Sequence, residues 1–322
     1  MAEHRDRYFD ALRAAALVRV VVYHMFPFAW LGLLVPAMGV MFALGGSLMA
    51  ASLDRSGGAP DRVVVNRLRR LLPAVWAFGA LLVPAMLWHG WPDRPEWSHF
   101  LLWVVPLAQP PGTAWATAAT EVLWYLVTYL WLVLLSPVLL WTYRRWPLWT
   151  VLAPLAALAV VAERGDALTD LATYAPCWIA GFAHRDGALR RLALPWLAAL
   201  AAVSLAGGLA WAVTRGAADD PIAQALYSLG AVLLLMRAAP RMDWLARLRT
   251  LDRFVSAVNA RAVTIYLWHN PAIAMCFVVG DVLQVWRLGH AGYLAVAVLL
   301  TTGAVVALGW IEGLSSRRRS LP

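Results

Sequence analysis

Arg13 and His24 lie in one apolar stretch, Tyr8 to Phe28, with ten residues between them. Eleven helical steps return to within ~20° of the starting azimuth and cover ~16 Å, so one face carries a permanent cation near one end and a titratable base deeper in. The cation can hold an anionic group, and a neutral imidazole can accept a proton. Ionisable side chains at bilayer depth are costly, which makes the pair a candidate functional site; the alternatives are an Arg13 that snorkels to headgroups and a His24 satisfied within the core. Asp10 sits three residues before Arg13, where an intrahelical pair is expected. Arg67 and Arg70, also three apart, share one side of any helix they form and can grip phosphates or anchor the chain to headgroups. His269, between Trp268 and Asn270 and two residues before Pro271, serves either polar packing or a site. At the head of a later apolar run, Glu121 is expected to face water and Trp124 to pack, with contact to a substrate the alternative for both. Cys177 and Cys276 fall in apolar segments and read as packing residues; no metal-ligand or disulfide spacing is present, and no metal is expected.

Only membrane-spanning helices can position such residues in this chain. Hydrophobic residues make up 62% and charged residues 14% of 322, with mean hydropathy +0.65, which excludes an ordinary globular domain. All 27 basic residues are arginine, and the net charge of +9 belongs to membrane topology and lipid headgroups rather than to nucleic acid. The expected fold is all-α, a polytopic bundle of about ten transmembrane helices at 8–28, 32–52, 71–89, 121–143, 147–163, 168–184, 192–214, 221–239, 262–282 and 291–313. With the N-terminus cytoplasmic, 21 arginines fall on inward segments and only Arg94, Arg164, Arg215 and Arg287 on outward ones. That bias follows the positive-inside rule and sets both termini in the cytoplasm. His4, Arg5 and Arg7 precede the first apolar run without a small-residue cleavage site, so it is expected to be a retained span. Residues 90–120, aromatic and rich in proline and glycine, are expected to lie in the interface or re-enter as a lid; 240–261 reads as an interfacial helix. No internal repeat is visible, and residues 1–322 are expected to form a single membrane-embedded domain without a soluble extension.

Four segments carry a resemblance. The opening YFDALRAAALVRVVVYHMF is similar to the first span of the acyltransferase 3 family, with Arg13 and His24 matching its Arg-X10-His motif. Arg67-Leu68-Arg69-Arg70 before Leu71-Leu72-Pro73 resembles its RxxR motif. Leu123-Trp124-Tyr125-Leu126 resembles its Trp-x-Leu segment, and Ile265 to Pro271 its Tyr-Leu-x-His-x-Pro segment. The four occur in the family's order along essentially the whole chain. Where many members carry a glutamate five residues after the tryptophan, this chain has Tyr129.

The resemblance implies an integral-membrane O-acyltransferase that moves an acyl group, acetyl or another short acyl, from acyl-CoA to a hydroxyl of a carbohydrate, a lipid-linked glycan or a secondary metabolite. No permanently bound cofactor is expected; acyl-CoA is a substrate, and membrane lipids surround the chain. Acyl transfer to an alcohol needs a base at the attacking hydroxyl, and His24 is the expected one. Coenzyme A is a polyanion with a long thin arm, which suits arginines at the cytoplasmic mouth and a base ~16 Å deeper. Proton abstraction rather than metal activation is the expected chemistry. The expected location is the cell membrane, as a multi-pass bacterial inner or plasma membrane protein. A transporter or flippase is the alternative, though no inverted repeat or matched pair of broken segments supports a carrier.

Overall fold

A computed structural model describes residues 6–26, 28, 36–92 and 94–317; His4, Arg5, Arg318, Arg319 and the start of the expected second span, 32–35, lie outside the described residues. All regular elements among the described residues are helical. In chain order the longer helices are α1 (Arg7–Met25), α2 (Ala37–Asp54), α3 (Pro60–His89), α4 (Leu123–Arg145), α5 (Pro147–Val161), α6 (Ala167–Arg185), α7 (Leu194–Arg215), α8 (Pro221–Ala238), α9 (Arg249–Ala260), α10 (Ala262–Val282) and α11 (Gly289–Arg317).

Eight of these are long and apolar enough to cross a membrane: α2, α3, α4, α5 with its extension to Arg164, α7, α8, α10 and α11. The two other expected spans coincide with α1 and α6. Helix α1 carries Arg7, Asp10, Arg13 and Arg19, and α6 carries Asp170 with Thr169 and Thr173. Thirteen residues of α6 are buried, so most of its surroundings are other helices and it need not be apolar all round.

Helix α3 begins eleven residues before the expected span and continues through Pro73 and Pro84. The RxxR segment is therefore helical rather than a loop. Proline is tolerated inside spans because neighbouring helices and local adjustments re-satisfy the freed carbonyls.

The chain divides into two compact units, one drawn from Met1–Tyr23, Pro27–Val64 and Thr128–Ser256, the other from His24–Phe26, Val65–Val127 and Ala257–Pro322, each over its described residues. At the centre of the first, α6 packs on α2, α5 and α8. Gly46 faces the carbonyl of Trp178 and Gly181 that of Ala43, so closely that a Cβ at either position would collide with backbone. Small residues at helix crossings allow this approach, which supplies the packing that lipid cannot drive. Trp178 is fully buried and donates from Nε1 to Ser136 Oγ at 3.0 Å.

Ion pairs gather the helix ends of this unit. Arg144, near the end of α4, holds Asp186 through two hydrogen bonds of 2.9 and 2.7 Å, and reaches Asp54 at the end of α2 at 2.9 Å. Arg185 lies 3.8 Å from the same Asp54. The C-terminal ends of α2, α4 and α6 thus meet. Elsewhere Arg215, ending α7, pairs with Glu163 beyond α5 at 2.5 Å and with Asp220 at the start of α8 at 3.5 Å. Asp220 also accepts from the backbone N–H of Ile222 and Ala223, capping α8, while Asp166, held below the usual carboxylate range mainly by Arg164, caps α6 at Leu168 and Thr169. Helix α9 buries Val255 and Val258 and exposes Leu251 and Phe254, and Arg7 pairs with its Asp252.

In the second unit α10 packs on α11. Met25, Ile273, Cys276, Val296 and Ala297 form one buried apolar cluster of it. Glu312 of α11 accepts from the N–H of Val263 and Thr264, at 3.4 and 3.3 Å, and from Thr264 Oγ1 at 3.0 Å, so a side chain of one helix caps the start of the other. The segment after α3 turns back along it. Trp97–Trp103 forms a short 3-10 helix whose Trp103 packs on Gly79 and Phe78, and Trp76 Nε1 donates to the Val104 carbonyl at 2.8 Å. Trp76 and Gly79 lie thirteen and ten residues before the end of α3, about 15–20 Å back along the axis. This stretch thus packs back on α3 through Trp103 and Val104.

Candidate active site

The residues able to do chemistry gather around the middle of α10, in the second unit. This helix is apolar apart from a few polar side chains, and three of them, Tyr266, His269 and Asn270, fall at i, i+3 and i+4, hence on one side of the helix. All three are buried, at 7%, 0% and 4% exposure.

His269 Nδ1 reaches the Tyr266 carbonyl at 2.7 Å. A carbonyl can only accept, so Nδ1 carries the proton and the neutral ring offers a lone pair at Nε2. That Nε2 has no partner among the described residues. The ring centroid of His24 stands 5.1 Å away, with the two rings inclined at 61°. Met25 next to it packs against Ile273 and Cys276, which fixes the end of α1 against α10.

Asn270 Nδ2 donates to the Ala118 carbonyl at 3.0 Å and to Glu121 Oε1 at 3.3 Å. Both partners accept only, so the amide orientation is set and Oδ1 has no partner among the described residues. The Tyr266 ring lies 5.0 Å from Tyr125, and its buried hydroxyl likewise has no partner among the described residues. Phe78 stands edge-on to Trp268 at 5.2 Å, and Gln109 Nε2 donates to the Thr120 carbonyl, so the folded-back segment delivers Ala118 and Glu121 to this level.

The expected residues distribute as follows. His24, His269 and Glu121 come together around α10, with Trp124 half-buried one turn beyond Glu121 and 6.2 Å from the ring of Tyr125. Glu121 keeps an exposed surface while its carboxylate touches Asn270. Arg13 and Asp10 are half-buried on the part of α1 that belongs to the first unit. Arg67, half-buried, and Arg70, exposed, lie toward the N-terminal end of α3. Tyr129 turns to Trp178, edge-on at 5.6 Å in the first unit. Residue type alone does not single out Tyr266 and Asn270; the signal that finds them is their i, i+4 spacing around a histidine in an otherwise apolar span.

No curated protein and no solved structure matches the chain. Among protein families, residues 6–310 match the acyltransferase domain of the acyltransferase 3 family. A match of that extent, on a chain whose described residues form only helices, eight of them long and apolar enough to cross a membrane, identifies a multi-pass membrane acyltransferase: the chain belongs to the acyltransferase 3 family.

Proposed function

We propose that the protein transfers a short acyl group, acetyl in the simplest case, from cytoplasmic acyl-CoA to a hydroxyl of a carbohydrate, lipid-linked glycan or secondary metabolite. The observation that carries this reading is the pair of imidazoles, His24 and His269, 5.1 Å apart in a buried polar patch of an apolar bundle. A pair of histidines at that depth is costly unless it has work with protons. His24 removes the hydroxyl proton; the acceptor oxygen attacks the thioester carbonyl, the C–S bond breaks, and the departing thiolate of coenzyme A takes the proton from the imidazolium. Arg13 holds negative charge on the donor along the same helix as His24, and Arg67 and Arg70 hold its phosphates.

In this reading the chain crosses the cell membrane about ten times, α1 and α6 included, as one domain with both termini in the cytoplasm. The meeting of the C-terminal ends of α2, α4 and α6 supports the alternation of spans that this requires. Cysteines introduced at 57–59 and 187 should be shielded from an impermeant thiol reagent in intact cells, and one at 217 should label; the opposite pattern would overturn the cytoplasmic donor. Purified protein given radiolabelled acetyl-CoA should release coenzyme A and move label to a hydroxyl acceptor present in a membrane or cell extract. Transport of a solute without thioester cleavage would instead favour a carrier.

A further inference from the structure

Once the backbone and neighbouring side chains have been served, two acceptors and one hydroxyl remain on one side of α10. His269 offers Nε2 because Nδ1 is committed to the Tyr266 carbonyl, and Asn270 offers Oδ1 because Nδ2 is committed to Ala118 and Glu121. The Tyr266 hydroxyl completes the set, and all three atoms are buried with no partner among the described residues. Leaving such groups unsatisfied is costly, each by enough to shift a binding constant severalfold or more.

We propose that this turn of α10 is the acceptor subsite, and that it selects a polyol: a molecule presenting at least two hydroxyl donors besides the one acylated. The inference rests on the acyltransferase reading and deepens it by stating what the acceptor must offer. One hydroxyl donates to His269 Nε2, a second to Asn270 Oδ1, and Tyr266 either gives or takes. His24, 5.1 Å from His269 between ring centres, faces the hydroxyl that reacts. An aliphatic alcohol with a single hydroxyl satisfies none of these once its own proton has gone to His24. A sugar ring, with hydroxyls on adjacent carbons, reaches consecutive positions of one helical stripe. Glu121 and the folded-back segment that leads to it set the specificity indirectly, since they decide which end of the Asn270 amide faces the site.

The test uses the full chain in lipid nanodiscs and, as probes, the methyl α-glycosides of glucose, galactose and mannose beside their fully O-methylated ethers, which keep the ring and lose every donor. Binding is read by saturation-transfer NMR. At least one free glycoside should bind about tenfold or more tightly than its ether. Asn270→Leu and the milder Tyr266→Phe should shrink that preference while leaving acyl-CoA affinity at the wild-type value. Ethers that bind as well as free glycosides, or no binding by any free glycoside, would overturn the subsite, and this arm needs no variant to fold. Release of coenzyme A from radiolabelled acetyl-CoA, measured on the same preparation, separates the two ideas. Transfer without donor preference sinks the subsite alone; glycoside preference without thioester cleavage sinks the acyltransferase mechanism alone.

Discussion

The two units handle polar groups inside an apolar bundle in opposite ways. In the first, charge is driven to helix ends, where Arg144 joins Asp54 and Asp186, and Arg215 joins Glu163 and Asp220. Its middle is closed by backbone contact at Gly46 and Gly181, and the Trp178 ring hands its only donor to Ser136. Buried polar atoms without partners do occur there, at His184 Nε2, Ser228 Oγ and Arg237 Nε, but on separate helices or turns. In the second unit three such atoms stand on a single stripe of α10 beside a second imidazole. Scattered loose ends are what packing leaves over. A cluster of them, each pinned by its other half to a defined partner, is a surface prepared for something that is not protein.

That contrast can be broken at several points. The largest effect is expected at His24: His24→Gln should keep expression and acyl-CoA binding while lowering acyl transfer by ~10²–10⁴-fold, the range of a positioned proton acceptor. Wild-type turnover should also fall as the medium is acidified, since an imidazolium cannot accept the hydroxyl proton. Near-normal turnover with unchanged pH dependence in that variant would hand the base role to His269. Next, Arg67→Ala and Arg70→Ala should each weaken acyl-CoA binding by about 1.5–3 kcal/mol in isothermal titration, with lysine restoring only part of it. Unaltered affinity would return both residues to lipid anchoring.

In the first unit the loss should appear in stability. Gly181→Val should cost about 1–3 kcal/mol in detergent-unfolding midpoints, because its side chain meets backbone that cannot rotate away; a stability equal to wild type would deny that the α2–α6 contact holds the unit together. Smallest is Arg144→Ala. Its guanidinium is 43% exposed, so screening limits the change to about 0.2–1 kcal/mol despite three hydrogen-bonded or paired oxygens. A larger loss there would place more of the stability at the helix ends than the glycine crossing suggests.

Much of this architecture is legible in the sequence because lipid simplifies the code. Apolar runs give helix positions to within a few residues at α5, α6, α8 and α10, since a span must satisfy all its backbone groups internally. Two features escape that code. The start of α3 at Pro60 lies in a charged stretch with no apolar signal, so only the part of the helix from residue 71 is legible. The weak hydropathy of α6 conceals how deeply it is buried, because hydropathy reports contact with lipid and this helix is surrounded by protein. For the site, residue type alone points to His24 and His269. Their 5.1 Å approach is a tertiary fact, as is the commitment of the Asn270 amide to Ala118 and Glu121, because these partners come from distant parts of the chain.

The folded-back segment after α3 has a consequence for how the protein is made. Its stretch from Trp97 to Val104 holds one short 3-10 helix, far too short to cross a bilayer, and beyond that helix it is tied down by Trp76 of α3 at the Val104 carbonyl and by Trp103 at the Pro111 carbonyl. During synthesis it therefore has nowhere to lodge until α3 and the head of α4 are both in place. Ala118 and Glu121 arrive with it, and α10 is synthesised later still. The insertion machinery thus hands over separate spans, and the contact that orients Asn270 is among the last to close, so a chain arrested before α10 would be membrane-integrated yet unable to form it.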